Sequence, residues 1–162
     1  MDLNELLFGN RNEGEYELKW LLREHGFAIK DVSFEPDYWY QDIDLIATNI
    51  FTKEVVTIEV KWDKQLASTG NIFIELENPR SFGGKGWFDF CQADYLAYGD
   101  ATNRIFYFIK MSDLRNYIYE KGKEGKDLRE RRSWDGSAGY TIPVDSISAL
   151  TTKVELKRKR GN

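Results

Sequence analysis

One cysteine and one histidine in 162 residues remove several chemistries at once. A lone Cys91 excludes an internal disulfide and suits a reducing, cytoplasmic setting. His25 is its only candidate partner for a nucleophilic pair, but it is distant in sequence and sits where a helix ends, so both residues read as packing groups. No run of about eighteen apolar residues and no charged-then-apolar leader is present, so neither a membrane span nor a signal peptide is expected. Repeats and interdomain linkers are missing too. The glycine-rich stretch Arg80 to Gly86 matches neither a phosphate-binding P-loop nor a dinucleotide fingerprint.

What remains is a chain of single-domain length with 41% hydrophobic and 15% aromatic residues, enough to bury a core. Its net charge of −4 looks wrong for a partner made of phosphates until it is divided. Residues 121–132 hold six basic side chains against three acidic ones, and residues 153–162 hold five against Glu155 alone. The rest of the chain is therefore strongly acidic. A basic segment and tail on an acidic body suggest local phosphate contacts, with bound cations offsetting clustered carboxylates. The end Lys157-Arg158-Lys159-Arg160 reads equally as a solubilising tail, which divides the chain into a domain over 1–152 and a tail over 153–162.

The most informative stretch is residues 40–61. Val56, Ile58, Val60 and Trp62 alternate with Thr57, Glu59 and Lys61, giving one apolar and one polar face on a strand. The preceding segment, Gln41 to Ala47, groups Ile43, Leu45 and Ala47 against Asp42 and Asp44 by the same rule. A hairpin symmetric about Phe51 and Thr52 sets Asp44 opposite Glu59 and Asp42 opposite Lys61. Like charges facing each other across a ladder are destabilising, and a divalent cation gives two carboxylates a reason to meet. Mg²⁺ or Mn²⁺ takes oxygen ligands of this kind, commonly one or two carboxylates completed by water and substrate phosphate. Lys61 would share that face, able to orient an attacking water or to stabilise charge on phosphoryl oxygens. Taken alone, Glu-x-Lys is a common triplet of solvated strand faces; the Asp-x-Asp strand a turn earlier is what gives it weight.

A third element precedes these. Asn12 as N-cap, Leu18, Trp20, Leu21 and Leu22 at helical spacing, and Gly26 as stop predict an amphipathic helix. Glu15 stands at the N-terminal end of its buried stripe, where a helix-dipole role and a functional one are both open. Gly14-Glu15, Leu18, Leu21-Leu22, Gly26-Phe27, Asp44 and Glu59-Val60-Lys61 together resemble the PD-(D/E)XK nuclease superfamily, in particular Holliday junction resolvases and phage or restriction endonucleases. The resemblance covers roughly residues 9–62. It implies Glu15, Asp44, Glu59 and Lys61 as catalytic residues, with Asp44 and Glu59 as metal ligands. The proline that usually precedes the aspartate is replaced by Ile43, which keeps Asp42 in contention with Asp44.

Downstream, Gly70 to Glu77 reads as a strand ended by Asn78-Pro79, with Glu75 able to join the acidic cluster. Trp87 to Tyr98 reads as a packed helix carrying Gln92. Exonuclease branches of the superfamily place a Gln and a Tyr on such a helix with three residues between them, whereas Gln92 and Tyr95 have two. Arg104 to Lys110 predicts a buried strand, Ser112 the cap of a helix to Glu120, and Tyr140 to Val144 a closing edge strand where Pro143 is tolerated. Candidate nucleic-acid contacts are Lys64, Arg80, Lys85, Arg129, Arg131 and Arg132. The expected fold is an α/β three-layer sandwich with a mixed central sheet flanked by helices, restriction-endonuclease-like by the resemblance. The function it implies is metal-dependent hydrolysis of DNA by an endonuclease leaving 5′-phosphate. Two alternatives stand beside it: a non-cutting DNA-binding or protein-interaction module of the same fold, and an RNA-directed nuclease. Symmetric cutting of a duplex would make a homodimer natural.

Overall fold

The computed structural model of the chain describes residues 13–124 and 128–157. Asn12, Lys126 and residues 158–162 of the basic tail lie outside them. Helix α1 (Glu13–Glu24) buries Leu18, Leu21 and Leu22 at the expected spacing and stops at Gly26, whose φ of 84° suits glycine. Trp20 departs from the expected stripe. It falls on the flank of the helix and stays exposed, edge-on to Tyr16.

Strands β1 (Phe27–Asp31), β2 (Leu45–Asn49) and β3 (Val55–Asp63) follow, with the single-turn helix α2 (Pro36–Trp39) between the first two. With β5 (Tyr95–Asp100), β6 (Ile105–Lys110) and β9 (Thr151–Glu155) they form a six-stranded sheet in the order β1-β2-β3-β5-β6-β9. Among the described residues its only parallel pair is β3 with β5, the others being antiparallel. A parallel pair needs a long crossover. Here it consists of the short helix α3 (Leu66–Thr69), strand β4 (Asn71–Glu77), a 3₁₀ turn over Phe82–Gly84 and the short helix α4 (Trp87–Phe90). Strand β4 does not enter the large sheet. It pairs with β8 (Ala138–Pro143), which pairs with β7 (Arg129–Arg132), giving a second sheet in the order β4-β8-β7. The result is a mixed α/β fold, a six-stranded mixed sheet flanked by helices.

Each face of the large sheet has its own core. On one side α1 packs Leu18 and Leu22 against Leu45, Ile58, Ala97 and Phe106. On the other, Ile43, Leu96 and Ile109 meet Ile72, Ile74 and Ile142 of the small sheet, together with Leu114 of helix α5 (Met111–Glu124). Among the described residues no helix is long and apolar enough to cross a membrane.

Several expected elements are corrected. Trp87 to Tyr98 is one helical turn followed by a strand, because Leu96, Ala97, Tyr98 and Gly99 are all buried between two cores. A parallel interior strand shows no polar alternation and so imitates a packed helix in sequence. Helix α5 begins at Met111, ahead of the expected cap Ser112. The Tyr140 strand is central in its sheet; Pro143 is tolerated because it closes the strand end, opposite Asn71. Strand β9 pairs Val154 with Phe106 and Glu155 with Ile105, so the boundary expected at residue 153 runs through a strand of the sheet. Ile43 belongs to the core opposite Leu45, since the chain is no longer extended there.

Candidate active site

The site forms where β2 parts from β3. Leu45 pairs with Ile58 and Thr48 with Val55, and the same register brings Asp44 beside Glu59. At this point Asp44 donates its N–H to the Ile58 carbonyl at 3.0 Å, and its carboxylate Oδ2 accepts the Val60 N–H at 2.8 Å. The side chain thus continues a ladder that the β2 backbone abandons. Residues 41 and 42 form a turn and 43–44 lie ahead of the strand, and Asp42 has φ 45°, a left-handed conformation that aspartate tolerates better than most residues. The expected strand pairing of Asp42 with Lys61 therefore does not occur. Asp42 nevertheless stays within electrostatic reach of Lys61, Asp44 and Glu75, so both aspartates line the site, with Asp44 fixed at its centre.

Glu59 and Lys61 project from the polar face of β3, and their side chains make a direct ion pair. The Glu59 side chain is 5% exposed and that of Lys61 30%, so the carboxylate is sealed and the lysine that pairs with it is itself largely buried. Lys61 Nζ also lies 4.9 Å above the Trp87 ring centroid, a cation–π contact that fixes its direction.

Burial and like charge dominate the titration of this group. Desolvation, reinforced by Asp44 and Asp42 and opposed by Lys61, lifts Glu59 to about 8. Burial raises Asp44, despite the Val60 hydrogen bond and Lys61 that lower it, and raises Asp42. Burial also works against the Lys61 ammonium, but Glu59, Asp44 and Asp42 outweigh it and hold its pKa above the ordinary lysine value. The directions agree on one point: a single lysine does not balance these carboxylates, and a proton is retained among them near neutrality.

Glu15 approaches from the other side of the sheet. Gly14 allows this, since a Cβ built there would lie 2.7 Å from Trp62 Cβ, so the first turn of α1 rests directly on β3. Half-buried Glu15 is raised to about 7 by burial, then by Asp44 and Asp31. Asp31, not anticipated from sequence, accepts from Lys19 at 2.7 Å and from the Ser33 hydroxyl at 2.6 Å, which hold it below the usual carboxylate range against the cost of burial.

The other candidates fall into two groups. Half-buried Glu75 accepts from Asn78 Nδ2 at 3.2 Å and faces Asp42 electrostatically. Gln92 is exposed, and its backbone N–H donates to the Gln41 carbonyl at 2.8 Å, beside the Asp42 turn. The basic candidates are not gathered at Asp44. Lys64, Arg80, Lys85 and Arg129 to Arg132 are all exposed. Arg80 pairs with Asp135 at 2.8 Å and Arg132 with Glu77 at 3.2 Å. Arg131 lies in the cross-strand row Glu75–Gly139–Arg131 and Arg129 in the row Phe73–Thr141–Arg129, on the face of the small sheet that carries Glu75. Cys91 and His25 are apart. Cys91 is buried with its thiol pushed up to about 11 by burial and donating to the Asp42 carbonyl, and His25 Nδ1 lies 2.8 Å from the Leu21 carbonyl.

Asp44 and Glu59 offer hard oxygen donors of the kind Mg²⁺ or Mn²⁺ takes, and the burial that chiefly raises their pKa values is a penalty on their charged forms that a bound cation would offset. Among the described residues no three His, Cys, Asp or Glu side chains converge into a preassembled metal cluster. The donor set therefore fits a cation held by two carboxylates and completed by other oxygens, not an all-protein cage.

No family model matches the chain. It is 26% identical over 135 residues to the tRNA pseudouridine synthase B of Chloroherpeton thalassium, across 73% of this chain and 55% of that protein. The chain thus spans about half the length of this curated relative. Among solved structures, a bacterial homing endonuclease aligns over 92% of this chain and 79% of its own, with 12% identity and a TM-score of 0.48.

Proposed function

We propose that the chain hydrolyses phosphodiester bonds in DNA as a metal-dependent endonuclease, leaving a 5′-phosphate, with Asp44 and Glu59 as ligands of Mg²⁺ or Mn²⁺. The observation that carries this reading is that Glu59, Asp44 and Asp42 all lie within electrostatic reach of a single lysine, with Asp44 fixed by the Val60 N–H, an arrangement whose excess negative charge a divalent cation would offset. When bound, the cation supplies Lewis acidity at a phosphoryl oxygen and lowers the pKa of water. Asp44, tied to the Val60 N–H, presents its second oxygen without rotamer freedom. Glu59 would hold the cation in place of the Lys61 ammonium it now pairs with. Lys61, held over Trp87, would orient the attacking water or stabilise charge on the phosphoryl group. Glu15 acts through Asp44, setting its charge. Arg129 and Arg131 track the phosphates beyond, and symmetric cutting would use a homodimer.

The test is incubation of the purified chain with supercoiled, linear, single-stranded and four-way-junction DNA, with and without Mg²⁺ or Mn²⁺. Asp44→Ala, Glu59→Ala and Lys61→Ala should each abolish cation-dependent cutting in a folded protein, and undiminished cutting by any two of them removes the assignment. The Glu59–Lys61 ion pair and the lack of three converging ligands among the described residues favour a second reading, a module that binds without cutting. Since the sequence relative is named for tRNA, RNA belongs in the same assay as the third.

A further inference from the structure

Next to the acidic end of the sheet lies a cleft of about 330 Å³, walled by Trp39, Tyr40, Trp87 and Phe90 and bordered by Asp42 and Glu75. Its size is at the small end of the range of about 300–1,000 Å³ for ligand clefts. Trp39 is 55% and Tyr40 82% exposed, so their rings are not spent on a core. Trp39 is also fixed in place, its indole N–H donating to the Ser33 carbonyl at 2.7 Å. The opposite wall is rigid. The loop after β4 is pinned by Asn78 N–H to the Gly84 carbonyl at 2.9 Å and Gly86 N–H to the Leu76 carbonyl at 2.8 Å. At Gly86 any Cβ would collide with the Glu75 carbonyl.

We propose that this cleft takes one unpaired nucleobase next to the scissile phosphate, and that Asp42 and Glu75 select a base with an exocyclic amino group, so that the substrate is single-stranded or locally unpaired DNA. Flat rings are matched by aromatic walls, on which bases stack whatever their sequence. Two carboxylates make the cleft unsuited to a phosphate but suited to accept from the exocyclic amino group of cytosine, adenine or guanine, which thymine lacks. Asn78, donating to Glu75, holds one of these acceptors in position, and Lys85 at the rim is placed for the neighbouring phosphate. Continuity with the reaction centre is structural, because Trp87 is at once a wall of the cleft and the ring beneath Lys61. Asp42 likewise belongs to both. A base stacked in a duplex cannot enter without being flipped out.

The position of the phosphate rests on the nuclease reading; the base cleft does not, and the test separates them. Fluorescence anisotropy with labelled oligonucleotides in EDTA measures binding without cutting. Oligo-dC and oligo-dA should bind more tightly than oligo-dT or a duplex. Trp39→Ala and Tyr40→Ala, both at exposed positions, should each weaken single-strand binding by about 5- to 100-fold, and Glu75→Ala should remove the preference for dC over dT. Equal affinity for duplex and single strand, or unchanged binding in both aromatic variants, overturns the cleft even if Mg²⁺-dependent cutting is found. Selective single-strand binding lost in these variants upholds it even if no DNA is cut.

Discussion

The two faces of β3 carry alternate residues of one nine-residue strand and meet opposite fates. Val56, Ile58, Val60 and Trp62 join Leu18, Leu22 and Phe106 in an apolar core closed by α1. Thr57, Glu59 and Lys61 face the opposite side, where the core ends at the Asp42 turn and carboxylates replace methyl groups. Burial is similar on both sides, Ile58 being 3% and Glu59 4% exposed. The first burial releases apolar surface from water and stabilises; the second desolvates charge and destabilises unless something compensates. On that contrast rests the proposal that the polar face carries the chemistry and the apolar one the stability.

Truncation on each face separates the two roles most strongly. Leu18→Ala removes a completely buried side chain from the α1 core and should cost about 2–5 kcal/mol in chemical denaturation, while cutting per folded molecule is unchanged. Glu59→Gln should do the reverse: cation-dependent cutting falls by about 10²–10³-fold, and the midpoint of thermal unfolding at pH 8 is unchanged or higher, since a buried charge has been removed. Loss of stability in both variants, with no difference in specific activity, would erase the distinction between the faces.

Much of this contrast was legible in the sequence, because period-two alternation in Val55 to Lys61 gives the facing, and taking the turn as symmetric about Phe51 and Thr52 gives the register seen between Leu45 and Ile58. On that register Asp44 falls beside Glu59. What was not legible has a common cause in long-range packing. Strand β5 is buried from both sides and so lost the alternation that marks strands. Asp42 left the ladder through a left-handed turn, and the Tyr38-Trp39-Tyr40 run carries no periodicity to announce that two of its rings remain at the surface. Asp31 entered the site through the β1–β2 pairing, which no local pattern around it predicts.

Gly14→Ala tests the junction between the faces. Its methyl group would overlap Trp62 and push the first turn of α1 off β3, at a cost of about 1–3 kcal/mol. Because Glu15 moves with that turn, cutting should fall further than unfolding explains, by up to about 10²-fold for a displacement near 1 Å. Stability lost with full activity per folded molecule would release Glu15 from any part in the site.

The gentlest probe is pH. Glu15 and Glu59 titrate near 7 and 8 in the folded chain against 4.5 as the ordinary value, so folding raises both. Between those limits the unfolded chain has lost these protons and the folded chain keeps them, and stability therefore falls as pH rises from about 4.5 to 8 and levels beyond. Asp31, held low, contributes only below that window. A divalent cation binds the deprotonated carboxylates and should flatten the decline, raising the unfolding midpoint more at pH 8 than at pH 5.5. Glu59→Gln removes the upper part of the slope and most of the cation's effect. A midpoint that climbs with pH across this window, or a cation shift that is the same in the variant, would show that the polar face of β3 is stabilised by its own ion pair and has no call for a metal.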